Sequence, residues 1–256
     1  MKPRLKIAET RAPDGSEMVL YQHDRDFFMM LNGQDLMDSR QKESELALAR
    51  LGCRHLSAFK APKVLIGGLG MGYTLRQTLD MLGPDGRVVV GELVDAVVEW
   101  NRAHLGVLND HPLEDPRVDL ERGDIVDIIT RCSARFDAIL IDIDNGPDAM
   151  TTADNHRLYG SAGIQACRRA LVKNGCLAVW SADPSKKYEQ LLVQGGFHVR
   201  RYRVPANRGS SSSRFVWVAS EDKTRLPPGG GEPRRSEKKK VSIKRRRWPR
   251  KNRSGR

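Results

Sequence analysis

An apolar run ends in a cluster of acids. The stretch AILIDIDNGPDAM carries Asp142, Asp144 and Asp148. Crowded carboxylates raise one another's pKa, which suits a general base, and they attract cations. Asp142 and Asp144 are the candidate catalytic residues, with Asp142 as the base. The competing reading is a plain turn, since Asn145-Gly146-Pro147-Asp148 is strong turn chemistry. A second chemical signal lies upstream in KVLIGGLGMGYTLRQ, where Gly67, Gly68, Gly70 and Gly72 fall between a strand-like and a helix-like pattern. Glycine there permits positive φ and close approach of a ligand to the backbone. It is not a Walker A loop, because no GK[ST] follows. Gly68, Gly70 and Gly72 read GxGxG, not GxGxxG.

Two further acids stand where strands should end. Glu92 closes VVVGE, 20 residues after Gly72. A carboxylate at that place accepts hydrogen bonds from ribose hydroxyls, and a solvated edge glutamate is the bland alternative. Asp124 follows Gly123 and admits two compatible readings: contact with an adenine amino group, and a helix N-cap. Ile125 stands beside it in the same candidate nucleoside site. The six histidines are dispersed, and Cys53, Cys132, Cys167 and Cys176 show no CxxC spacing. No metal site or disulfide framework is expected, and the thiols read as reduced and buried. The Asn/Asp-Pro-Pro-aromatic motif of many amino-group methyltransferases is absent after this strand.

The elements that must position these residues alternate. Strand patterns cover Val64–Gly68, Arg87–Glu92, Val118–Glu121, Ala138–Asp142, Cys176–Ser181, Phe197–Val204 and Phe215–Ala219. Helical patterns fall at about 72–83, 94–105, 124–132, 155–172 and 185–195. Short continuous apolar runs suit strands covered on both faces. The alternation implies a mostly parallel, doubly wound sheet. Only Pro205–Ser213 separates the last two strands, too little for a crossover helix, so they form an antiparallel hairpin. The fold class is therefore α/β, Rossmann-like, of the class I methyltransferase type. The loop Asn207–Ser213 reads either as a mobile lid or as a plain hairpin loop. Residues 1–62 form a small N-terminal β unit, with two short strands in SEMVLYQHD and DFFMMLNGQ and a linking helix around Glu43–Leu51. Residues 63–220 form the nucleoside-binding domain.

The net charge of +12 belongs to the end of the chain. Residues 221–256 hold fifteen Lys/Arg and four Asp/Glu, while residues 1–220 hold 29 basic and 28 acidic groups. The segment opens with PPGGGEP and continues in KKK and KRRR runs with little to bury, which reads as a disordered basic tail. Such a tail binds phosphate backbones without sequence preference, and Trp248 in RRRWPRK is placed to stack on a base. A solubilising extension is the bland alternative. No run of about 18 apolar residues and no N-terminal apolar h-region occur, so a cytoplasmic protein without membrane partners is expected.

The order VLIGGLGMGYTLRQ, VVVGELVDAVVEWNR, DPRVDLERGD, FDAILIDIDNGPD and ALVKNGCLAVWS resembles the spermidine synthase (polyamine aminopropyltransferase) family, including a bacterial spermidine synthase-like subgroup, over roughly residues 60–185. The family's Gly-Thr-Leu-Arg corresponds to Tyr73-Thr74-Leu75-Arg76. Its ribose-binding acid matches Glu92, its adenine-contacting acid Asp124, and its catalytic aspartate Asp142. The resemblance implies decarboxylated S-adenosylmethionine as co-substrate, a small-molecule amine as acceptor, and a homodimer. Three positions depart from the pattern. Met71 replaces the aspartate that holds the donor's ammonium group, Asn145 replaces the second aspartate of Asp-Ser-Ser-Asp, and SRQKESELALARL lacks the family's Tyr-His-Glu. The leading expectation is aminopropyl transfer in polyamine biosynthesis. One alternative is methyl transfer from intact S-adenosylmethionine to an RNA or ribosomal substrate. The other is a catalytically degenerate nucleoside-binding domain whose tail binds nucleic acid.

Overall fold

The structure is a computed structural model that describes residues 3–143, 146–147, 155–207, 209 and 211–233. Two sheets organise the chain. The first is a four-stranded antiparallel meander of β1 (Leu5–Arg11), β2 (Glu17–His23), β3 (Asp26–Leu31) and β4 (Gln34–Asp38). The sequence patterns cover β2 and β3; β1 and β4 are half-exposed edge strands with little apolar alternation. Helix α1 (Glu43–Cys53) leads from the meander to the larger sheet. It lies so close that a Cβ on Gly52 would come within 2.3 Å of Leu140 Cδ2.

The larger sheet has the order β10-β11-β9-β8-β5-β6-β7. Its strands are β5 (Lys63–Gly67), β6 (Arg87–Glu92), β7 (Val118–Arg122), β8 (Phe136–Ile141), β9 (Leu171–Ser181), β10 (His198–Pro205) and β11 (Ser213–Ser220). From β7 to β9 all pairs are parallel; β11 pairs antiparallel with both β9 and β10. The continuous apolar runs are explained by burial on two faces. Val64, Ile66, Ala138 and Leu140 join the core shared with α1 and α2 (Tyr73–Met81), while Leu65, Ile139 and Ile141 join the core beneath α4 (Ile125–Thr130), α6 (Ser161–Ala170) and α7 (Lys186–Gln194).

Some elements differ from the sequence patterns. The helix expected over 94–105 is α3 (Asp95–Trp100) followed by a π turn at Asn101–Leu105. The amide of Asn101 bonds both Val97 O and Gly70 O there, so a tertiary partner shapes the turn. The pattern over 155–172 divides into α5 (Asn155–Tyr159) and α6, separated by Gly160 in extended conformation. Its last residues open β9, which takes in Lys173-Asn174-Gly175 with Asn174 at φ +64°. The packed chain also runs beyond 220. Leu226 is buried, the Tyr202 hydroxyl donates to Pro227 O, and Gly231 bridges Arg201. Residues 234–256, most of the basic tail, lie outside the described residues. All four cysteines are free and buried. Among the described residues no helix is long and apolar enough to cross a membrane.

Candidate active site

The chain runs outward from β5 to β7 on one side and from β8 to β9 on the other. The switch point therefore falls between β5 and β8. Ligands of open parallel sheets bind outside the carboxyl ends of the strands at such a point. The glycine turn and Asp142 meet there. Gly68, Gly70 and Gly72 have φ of +92°, +51° and +82°. At Gly68 a Cβ would stand 2.3 Å from Asp142 O, so both the conformation and the close approach require glycine.

Side chains from outside the turn hold it open. Glu92 Oε2 accepts from Leu69 N at 2.8 Å and Oε1 from Val94 N at 2.9 Å, with the residue only 8% exposed. Asn101 Nδ2 donates to Gly70 O and Asn109 Nδ2 to Met71 O, both at 2.8 Å. Asp124 caps α4, accepting from Val126 N at 2.7 Å, and its other oxygen lies 3.4 Å from Arg157 Nη1. The N-cap reading thus describes its bond. Ile125 is buried against Gly67 and Gly91, at the ends of β5 and β6. Gly68, Gly70, Glu92, Asp124, Ile125 and Asp142 all line one cleft of about 720 Å³. Gly72 does not line it and instead starts α2 from a left-handed cap.

The other side of the cleft is built by α1, the meander and Trp180. Asp142 Oδ2 accepts from Thr74 Oγ1 at 2.6 Å. Burial pushes the Asp142 carboxyl up to about 6, against the Thr74 bond, which lowers it. Glu45, on α1, lines the same space and is 8% exposed. Burial, and then the charge of Asp142, push its carboxyl well above the usual carboxylate range. Met71 is 1% exposed and also lines the cleft, so the position where an ammonium-binding aspartate was expected is apolar. Asp144, Asn145 and Asp148 lie outside the described residues, and the loop 207–213 is described only in part. Among the described residues no group of three or more His, Cys, Asp or Glu is arranged to hold a metal ion.

Glu45, Asn101 and Asn109 were not singled out from the sequence. The signal for Glu45 was present, since Glu45, Leu48, Ala49 and Gly52 follow helical spacing and all are buried. An acid on an apolar stripe is the anomaly to notice. Asn101 and Asn109 carry no comparable local signal.

The fold and the strand-end site define a Rossmann-like α/β protein of the class I methyltransferase type. Within that class the chain is related to the spermidine synthase (polyamine aminopropyltransferase) family. It is 29% identical over 135 residues to a polyamine aminopropyltransferase of Saccharolobus solfataricus, covering 52% of this chain and 44% of that protein. It is 25% identical over 178 residues to polyamine aminopropyltransferase 1 of Pseudomonas aeruginosa, covering 66% and 59%. The matches thus span about half the length of these relatives. Spermidine synthase from Thermotoga maritima superposes with a TM-score of 0.69 at 21% identity, over 88% of this chain and 76% of that one. A spermidine synthase in complex with the transition state analogue AdoDATO gives 0.68 at 20% identity, over the same shares. No family model matches the chain.

Proposed function

We propose that the protein transfers an aminopropyl group from decarboxylated S-adenosylmethionine to a primary amine. The observation that carries this reading is Asp142. It stands at the switch point, touches Thr74, and has a carboxyl raised toward neutrality. A base of that strength is matched to work near neutral pH. The relatedness to polyamine aminopropyltransferases supports the same chemistry.

In this reading Glu92, held in place by two backbone amides, takes the ribose hydroxyls. Asp124 and Ile125 face the adenine, and the glycine turn lets the donor approach the backbone. The donor supplies a sulfonium, whose adjacent methylene carbon is the electrophile. Asp142 takes a proton from the amine nitrogen. That nitrogen forms the new C–N bond as the C–S bond breaks, and the sulfur leaves as the neutral thioether methylthioadenosine. Thr74 orients the carboxylate. The meander and α1 cover the site and keep water from the sulfonium.

Met71 favours a second reading. Where the family holds an ammonium with an aspartate, this chain offers a buried thioether. Intact S-adenosylmethionine as a methyl donor is the alternative. Calorimetric titration with S-adenosylmethionine, its decarboxylated form and methylthioadenosine separates the two. The decarboxylated donor is expected to bind tightest; preference for the intact form replaces aminopropyl by methyl transfer. If all three fail to bind, the nucleoside site itself is wrong. We also propose a cytoplasmic location, a homodimer, a small N-terminal unit over 1–62 followed by the nucleoside-binding domain from residue 63, and nucleic-acid binding by the part of the basic segment 221–256 that follows the packed residues Leu226 and Gly231. Sedimentation reads the dimer. RNA affinity before and after deletion of 234–256 reads the tail.

A further inference from the structure

The acids of the cleft differ in one respect. Asp14 accepts from Ser16 N, Asp35 pairs with Arg4 at 3.3 Å, and Asp38 pairs with Arg40 at 2.6 Å. Glu92 and Asp124 hold backbone amides, and Asp142 holds Thr74. Glu45 alone has a carboxylate with no hydrogen bond or ion pair among the described residues. Only its backbone oxygen is engaged, by the Thr74 hydroxyl at 3.3 Å. It is also 92% buried and lines the cleft. A carboxylate removed from water with no counter-group is costly. Such a group either stays protonated or is completed by a positive partner.

We propose that Glu45, together with Asp142, binds the ammonium group of a substrate, and so supplies the cation site of the cleft's amine side. This rests on the aminopropyl reading for the identity of the ligand, a primary ammonium on either the donor's aminopropyl tail or the acceptor. The two acids come from different elements, α1 and the end of β8, and the Thr74 hydroxyl of α2 reaches both residues, the Asp142 carboxylate at 2.6 Å and the Glu45 backbone oxygen at 3.3 Å. The charge of Asp142 acts on Glu45, and Glu45 acts in turn on Tyr73, whose hydroxyl donates to Ser39 O. Lys42, at the start of α1, lies over the Tyr73 ring at 5.5 Å. Trp180 lines the same space, and an indole face attracts organic cations. Burial and the neighbouring acid favour the protonated Glu45 carboxyl in the empty cleft, and a bound ammonium favours its charged form, so ammonium binding releases protons.

The test is calorimetry on the full chain at pH 7 in two buffers of different ionisation enthalpy. The ligands are methylthioadenosine, decarboxylated S-adenosylmethionine, and 1,4-diaminobutane added to the methylthioadenosine complex. In the wild type each ammonium ligand that reaches Glu45 is expected to bind with release of protons, and methylthioadenosine without it. Glu45→Gln is expected to weaken that ligand at least tenfold, with methylthioadenosine affinity held within twofold as the folding control, and Glu45→Asp to recover part of the loss. A loss confined to the donor places its tail at Glu45; a loss confined to the diamine places the acceptor there. Unchanged affinities in Glu45→Gln overturn the proposal, as does proton-free ammonium binding in the wild type, which needs no variant to fold. The two readings fail separately. Aminopropyl product formed equally by Glu45→Gln sinks only the Glu45 site, whereas Glu45-dependent ammonium binding with no product sinks only the aminopropyl reading.

Discussion

The two halves of the cleft treat their acids in opposite ways. On the proposed nucleoside side, Glu92 is tied to Leu69 N of the glycine turn and to Val94 N of its own loop, Asp124 is tied to Val126 N, and Asn101 and Asn109 clamp the turn. On the proposed amine side, Asp142 has one hydroxyl and the Glu45 carboxyl has no hydrogen bond or ion pair among the described residues, and both carboxyls are pushed up by burial. The first half is held by side-chain-to-backbone bonds before a ligand arrives, with the buried Oδ1 atoms of Asn101 and Asn109 left without a partner among the described residues. The second is left electrostatically incomplete, which costs stability and is useful only if a cation enters. Strain and unsatisfied charge concentrate where function needs them.

The strongest way to break this comparison is to neutralise the amine side alone. Asp142→Asn is expected to lower turnover about 10²- to 10⁴-fold, the usual worth of a general base, with methylthioadenosine affinity unchanged within twofold. Equal turnover in steady-state assays would remove Asp142 from the chemistry. Damage to the nucleoside side should instead appear as lost folding and lost nucleoside affinity together. Gly68→Ala places a Cβ 2.3 Å from Asp142 O at φ +92°, and about 3 kcal/mol of destabilisation is expected by urea unfolding.

The same asymmetry has a pH signature. The folded-state pKa of Asp142 is raised to about 6. Its stabilising contribution is therefore full below the unfolded value and is lost as pH rises through about 6. Asp142→Asn removes that loss. The variant should unfold at higher urea than the wild type at pH 8, by up to about 3 kcal/mol, and the two should converge near pH 4. A gap that is constant with pH contradicts the buried-acid account. Smaller effects sharpen the contrast. Asn101→Ala and Asn109→Ala should each cost about 1–2 kcal/mol of stability and weaken methylthioadenosine, while leaving the pH profile of turnover in place. Thr74→Val removes the hydrogen bond that lowers Asp142, so the acidic limb of that profile should move to higher pH.

Much of this was readable along the chain. The alternation of strands and helices announced the parallel sheet, because strands covered on both faces leave continuous apolar runs such as Val64–Ile66 and Val88–Val90. The terminal hairpin followed from a loop too short for a crossover. The edge strands β1 and β4 left weaker marks because one side of each faces water. The amine side was harder. Glu45 was legible only as a misfit on an apolar stripe, and nothing local says that it faces Asp142.

By itself the sequence determined the fold class, the glycine turn and the placing of Glu92, Asp124 and Asp142 at strand ends. Those features are local, set by side-chain periodicity and by the φ that glycine permits. Only the tertiary structure decided which groups meet: Thr74 with Asp142, 68 residues apart, Asn109 with Met71 O, and Glu45 with the end of β8. The pairings depend on how α1 and the meander close over the sheet. The charge state of the acids depends in turn on that burial, since desolvation is a property of the surroundings and not of the residue.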